Sequence, residues 1–348
     1  MAKLSTLCCG IEKMRTASLT NEQLAGQRLM VGFEGTRLNE DLKFLINVLK
    51  VGGVILFAGN LKSPDQITEL CRSIQDSARI CQQPPLFIAV DQEGGQVARL
   101  QEPFTIFPGN PHMESEADAV HFAEITAAEL DQIGINMNMA PVMDVSPEGS
   151  DSIMAERTFG DNPAWVSRLG VKVIEHLQLN HIMAVAKHFP GIGRTTLDSH
   201  LDMPVLHDDL SKMEQYDLIP FEAGIQSGVS GVMLSHIFYT KLDPQWPASL
   251  SPQIAKNLLR KQMGFDGLVL TDDLDMGAIS KRYDIHTAIH QTLAADIDLT
   301  LICHKGPNIE IAFEKILKEI RDSPEMKVRG TESAERIMRL KRKYLGIP

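Results

Sequence analysis

The sequence predicts an α/β protein folded as a single (β/α)8 barrel, and three features carry that expectation. Short runs rich in Val, Ile and Leu recur along the chain, as continuous apolar stretches rather than alternating ones. That is the pattern of parallel strands buried on both faces. Longer stretches with helical periodicity, such as AVHFAEITAAELDQIG and VSRLGVKVIEHLQL, lie between them. Polar residues cluster just past the ends of several successive runs, where the top face of a barrel gathers its ligand groups. An open doubly wound sheet would share the alternation, and the spread of polar clusters over many strand ends disfavours it.

Taken in order, the strand candidates are RLMVGF (28–33), GVILF (53–57), LFIAV (86–90), INMNMAPVMDV (135–145), IMAVAKHF (182–189), GVMLSHI (231–237), GLVLTD (267–272) and IDLTLIC (297–303). The composition does not shift between these units, so one barrel over residues 21–348, closed by C-terminal helices, accounts for the chain. Residues 1–20 are expected to form a loosely held leader. The tail EMKVRGTESAERIMRLKRKYLG reads as a final amphipathic helix.

With 348 residues, 43% of them hydrophobic, the chain can bury a large core. Its net charge of −11, with basic residues scattered, argues against a nucleic-acid surface, which needs a concentrated positive footprint. The start, MAKLSTLCCGIEKMR, lacks the apolar core of a signal peptide, and no window approaches the ~18 apolar residues of a membrane span. A cytoplasmic protein without a membrane partner is expected. Five cysteines lack the paired spacing of a zinc site and read as incidental or buried thiols.

The chemistry-bearing residues follow the strands. After the third comes VDQEGGQVARL, with Asp91 at the strand end, a glycine pair that could let backbone approach a ligand, and Arg99. Carboxylate and guanidinium suit a polar neutral ligand, or form a structural pair across a tight loop. After the fourth, the loop AERTFGDNP carries Arg157, either a ligand group or a solvated arginine. LSHIFY places His236 at a strand terminus, where a satisfied core histidine is the favoured reading. GLVLTDDLD ends on Asp272, best placed to point into the barrel mouth; Asp273 and Asp275 are expected to cap the next helix.

The densest stretch is KHFPGIGRTTLDSH (187–200). Lys187 and His188 end the fifth strand, and glycines are expected to make the loop beyond mobile. Asp198 and His200 are two residues apart, so in extended backbone they share a side and can hydrogen-bond, with the aspartate fixing the imidazole tautomer. They read as an acid/base dyad. A metal site built from His188, Asp198, His200 and Asp272 is disfavoured, since no three of them fall on one rigid element. A loop merely pinned by its own polar residues is the remaining alternative.

In order and spacing, VDQEGGQVARL, MAPVMDV, ERTFGDNP, AKHFPGIGRTTLDSH and GFDGLVLTDDLDM resemble glycoside hydrolase family 3, and within it the single-domain bacterial β-N-acetylhexosaminidases of the NagZ type. The resemblance runs from about residue 27 to 305. It implies substrate-binding roles for Asp91, Arg99, Arg157, Lys187 and His188, a nucleophile at Asp272, and a general acid/base at His200 oriented by Asp198. Ile192 departs from the family, which commonly reads KHFPGHG there.

A retaining glycosidase needs a carboxylate nucleophile and a proton donor beside the glycosidic oxygen. A histidine in the second role is unusual but adequate, with an unperturbed pKa of about 6.5. The resemblance further implies a small carbohydrate substrate, terminal N-acetylglucosamine on muropeptide fragments of peptidoglycan recycling in the cytoplasm, with no metal or cofactor and a monomeric enzyme. Two alternatives stand beside it: a glycoside phosphorylase releasing GlcNAc 1-phosphate, and a non-catalytic sugar-binding barrel. The presence of Asp272, Asp198 and His200 disfavours the latter.

Overall fold

The eight apolar runs become eight parallel strands: β1 Leu29–Val31, β2 Gly53–Leu56, β3 Phe87–Val90, β4 Met137–Asn138, β5 Met183–Phe189, β6 Gly231–Leu234, β7 Leu268–Asp273 and β8 Leu299–Ile302. In this computed structural model, which describes residues 19–199 and 201–346, they close into a barrel. Closure comes from β1, which pairs with β2 through Met30 opposite Gly53 and with β8 through Leu29 opposite Thr300. Most of the expected leader, residues 1–18, lies outside the described residues.

The fourth strand is far shorter than the run 135–145 suggests, with only a lone bridge from Val142 to Lys187 beyond it. Two side chains replace part of the ladder. Asn136 Oδ1 accepts the Ile88 N–H at 2.9 Å, and Asn138 both accepts the Gln92 N–H at 3.0 Å and donates to its carbonyl at 2.9 Å. Pro141 then has no N–H to offer a neighbour.

Among the described residues the α-helices are α1 Asn21–Gly26, α2 Glu40–Asn47, α3 Pro64–Ile80, α4 Glu116–Gln132, α5 Pro163–Leu179, α6 Leu210–Glu214, α7 Leu218–Gln226, α8 Gly277–Ser280, α9 Ile285–Ala294, α10 Asn308–Asp322 and α11 Pro324–Leu345, and a π-helix spans Gln253–Gln262. Their local logic is visible in α3. Ser63 caps the Gln66 N–H, Pro64 occupies the first turn, and Ile67, Leu70, Cys71, Ile74 and Ala78 form the buried stripe. No helix among the described residues is long and apolar enough to cross a membrane.

Two apolar cores result. The larger lies between strands and helices; the smaller fills the barrel with Met30, Ile55, Phe87, Met137, Met183, Met233, Leu270 and Leu301. The tail helix α11 completes the smaller core with Ile337, Leu340 and Tyr344. Its Lys341 donates to Gln27 Oε1 at 2.6 Å and to the Gly52 carbonyl at 2.9 Å, both just ahead of strands, and so seals the lower end. Burial drives that amine well below its ordinary pKa.

Candidate active site

The upper end is polar. Immediately after β3, Gln92–Gly94 and Val97–Ala98 form a small antiparallel ribbon. Gln92 Oε1 accepts the N–H groups of Arg99 and Leu100 at 2.8 and 3.0 Å, returning the chain toward Asp91. Arg99 Nη2 then lies 3.5 Å from Asp91 Oδ2. The glycine pair serves packing rather than ligand approach. Gly95 has φ of +59°, and a Cβ there would meet the Pro108 carbonyl at 2.9 Å.

Around this ribbon sits a buried charge cluster. Lys187, at the end of β5, is 2.7 Å from Asp91 and 2.6 Å from Glu93. Glu93 also receives Arg157 in a bidentate grip, 3.0 Å from Nε and 2.8 Å from Nη2. Arg157 is thus a clamped side chain and not a solvated one. Burial opposes ionisation of Asp91 and Glu93, but Lys187 leads the cations that outweigh it and hold both carboxyls below their usual range. Lys187 is likewise penalised by burial, and Asp91 and Glu93 hold its pKa above the ordinary value.

His188 is set by Asp144, a fully buried residue at the end of the 135–145 run. Asp144 Oδ2 lies 2.8 Å from His188 Nδ1, and Oδ1 accepts the Ile192 N–H at 2.8 Å. Ile192 itself is buried in the larger core, so the position where the family commonly has histidine is apolar packing here.

Asp272, near the end of β7, faces the same cavity. Burial raises the cost of its charge, but His236 and His188, the Asp273 N–H and Lys187 together hold its carboxyl below the ordinary value. His236 is a satisfied core histidine, 2.7 Å from both Ser249 Oγ and the Asp273 carbonyl. The expectation that Asp273 and Asp275 cap a helix is overturned. Helix α8 has Met276 as its N-cap, which makes no side-chain cap. Asp273 Oδ1 instead accepts the N–H groups of Asp275 and Cys303, and Asp275 Oδ1 is held by Asn308. Asp273, Asp275 and His304 offer one ligand atom each within 4.8 Å of one another, a set that could hold a cation. It shares no residue with the metal set weighed from the sequence.

The glycines after Lys187 and His188 also serve close packing. A Cβ on Gly193 would lie 2.0 Å from the Val145 carbonyl, and Gly191 (φ +120°) abuts Asp217. Arg194 then anchors the segment to Asp217, 3.1 Å from Nε, and to Asp208. Asp198 follows, half-buried. His200 lies outside the described residues.

Six of the eight sequence-predicted residues (Asp91, Arg99, Arg157, Lys187, His188 and Asp272) line one cavity of 380 Å³ at the top of the barrel. Asp198 is not part of that lining. Glu93, which the sequence reading passed over, is; Asp144, also passed over, supports it from behind. Both carried a signal. Glu93 sits two residues from Asp91, and Asp144 ends an apolar run as Asp272 does.

The model of the glycosyl hydrolase family 3 N-terminal domain matches residues 19–340. A β-hexosaminidase of Nitrosomonas eutropha is 36% identical across 79% of this chain and 80% of its own length. The chain belongs to glycosyl hydrolase family 3. Within the family, it is 33% identical to β-hexosaminidase A of Pseudoalteromonas piscicida, over 93% of this chain. A solved family 3 β-N-acetylglucosaminidase from Paenibacillus sp. FPU-7 superimposes with a TM-score of 0.89 at 34% identity over 94% of this chain. This family 3 chain spans only 61% and 63% of the length of those last two proteins.

Proposed function

We propose that the protein is a retaining exo-β-N-acetylglucosaminidase. The reading rests chiefly on Asp272. It is a carboxylate held below its ordinary pKa in a cavity that Asp91, Arg99, Arg157 and Lys187 also line, as hydrogen-bonding groups for sugar hydroxyls and an N-acetyl group. The β-hexosaminidase and β-N-acetylglucosaminidase names of the relatives supply the substrate class.

In the first step an Asp272 carboxylate oxygen bonds to the anomeric carbon as the glycosidic C–O bond breaks, and the departing oxygen takes a proton from His200. In the second, His200 removes a proton from water, whose oxygen displaces Asp272 and releases the sugar. Asp198 orients the imidazole throughout. The Asp91–Lys187–Glu93–Arg157 cluster is preorganised, so binding a sugar requires little rearrangement of its charges. Muropeptide fragments as substrate, and the cytoplasm as location, follow from the resemblance of the motifs to NagZ-type enzymes.

The deciding experiment compares hydrolysis of a chromogenic β-GlcNAc glycoside with the β-glucoside and β-xyloside, with and without phosphate. Selective release of free GlcNAc at a phosphate-independent rate is expected. GlcNAc 1-phosphate would identify a phosphorylase, and tight GlcNAc binding without turnover a sugar-binding barrel.

A further inference from the structure

The segment carrying Asp198 and His200 is tied at its far end to the helix that follows Asp272. The Ala278 N–H donates to the Ser199 carbonyl at 3.1 Å. Lys281 Nζ donates to the Leu201 carbonyl at 2.7 Å, and Arg282 Nη2 to Asp202 Oδ1 at 3.0 Å. One contact falls on the residue before position 200 and two on the residues after it. All three come from α8 or the two residues after it, and α8 is joined to Asp272 by a short turn.

The chemistry of these donors explains the arrangement. Ala278 stands in the first turn of α8, where an N–H has no intrahelical acceptor, so the Ser199 carbonyl satisfies it. Lys281 and Arg282 directly follow the helix and reach across to the same segment. Arg194 fixes the near end of the segment to Asp208 and Asp217. Ser199, Leu201 and Asp202 are therefore tied to the turn and helix that follow Asp272.

We propose that Lys281 and Arg282 are positioning residues that act on the acid/base by tying the residues flanking position 200 to the turn after Asp272. The inference rests on the reading of His200 as the acid/base. In a retaining mechanism the proton must reach the leaving oxygen as the nucleophile bonds, and small misplacements of a catalytic group are costly in rate. The Arg282–Asp202 pair is half exposed on both sides, so its share is modest.

The test uses the full chain with Lys281→Met/Arg282→Gln, assayed on an alkyl β-GlcNAc glycoside, whose departure needs a proton, and on an activated aryl glycoside, whose departure does not. The double variant should lose about three- to tenfold in kcat on the alkyl substrate and stay within about twofold on the aryl one. Its thermal midpoint should match wild type, and the conservative pair Lys281→Arg/Arg282→Lys should keep most of the wild-type rate. Lys281→Met alone, which removes the Leu201 contact and keeps the Arg282–Asp202 pair, serves if the double variant folds poorly. Equal losses on both substrates, or none, overturn the proposal. His200→Ala is run in parallel: selective loss there beside an unaffected double variant overturns the positioning role alone, whereas no leaving-group dependence in His200→Ala overturns the acid/base reading as well.

Discussion

Glu93 grips Arg157 through two guanidinium nitrogens and holds Lys187 with one of the same oxygens, while its own side chain is 1% exposed. Removing it strands Arg157 and leaves Lys187 to Asp91 alone; removing Arg157 leaves Glu93 still paired with Lys187. Glu93→Ala should therefore cost about 3–5 kcal/mol of stability and Arg157→Ala only about 1–2 kcal/mol. Denaturant unfolding measures both. The same order should not hold for affinity, since Arg157 itself lines the cavity and its loss should weaken binding of GlcNAc directly.

Asp272→Ala should abolish turnover by several orders of magnitude with little change in sugar binding or thermal midpoint. A 2-deoxy-2-fluoro or 5-fluoro glycosyl reagent should label the peptide containing Asp272 by mass spectrometry. Label on Asp273 or Asp275 would misplace the nucleophile.

Acid should destabilise the site in a defined window. Asp91, Asp272 and Glu93 are held below their ordinary values of 3.8 and 4.5, so each contributes stability that is present above those values and is lost as pH falls through the lower folded ones. Asp273 has the opposite sign. Burial, with Asp275 and Asp272 nearby, raises its pKa, so its contribution is lost as pH rises. Midpoints measured from pH 7 to 3 should rise slightly as Asp217, whose raised pKa of about 6 has the same sign as that of Asp273, takes up its proton, and should fall below about pH 4.5. Asp273→Asn should remove the opposing component and steepen that fall. Since Asp272 stays ionised, an acidic limb in the rate near pH 6 would belong to another group.

Arg194→Ala should be more damaging at pH 8 than at pH 5. Asp217 is buried, which raises its pKa to about 6 even with Arg194 drawing it down. Without the guanidinium, the carboxylate is stranded at alkaline pH, a loss of about 3 kcal/mol, and is relieved by protonation in acid. Thermal midpoints of wild type and variant at the two pH values give the comparison.

Much of the barrel was legible because strands buried on both faces cannot hide among polar residues: GVILF and LFIAV map onto β2 and β3 with one residue trimmed from each. The run 135–145 misled, because Asn136 and Asn138 perform ladder bonds with side chains, which no periodicity reports. For the site, residues at strand ends were legible individually but their partnerships were not. Lys187 and Glu93 are 2.6 Å apart across 94 positions of sequence, a closeness fixed only when β3 and β5 flank β4. Asp273 and Asp275 were misassigned because a capping argument depends on where the helix begins, and here it begins after Met276.

The seal that α11 places under the barrel makes the cavity a blind well. Ile337, Leu340 and Tyr344 close the bottom, and a methionine-rich filling occupies the middle, so nothing passes through. Whatever enters first must leave last. A glycoside would descend sugar foremost, and after cleavage the aglycone must depart before the sugar can. Product inhibition should then be unequal: free GlcNAc competes with substrate for the empty well, while the aglycone alcohol, meeting the sugar-loaded form, acts as an acceptor that returns the sugar to a new glycoside.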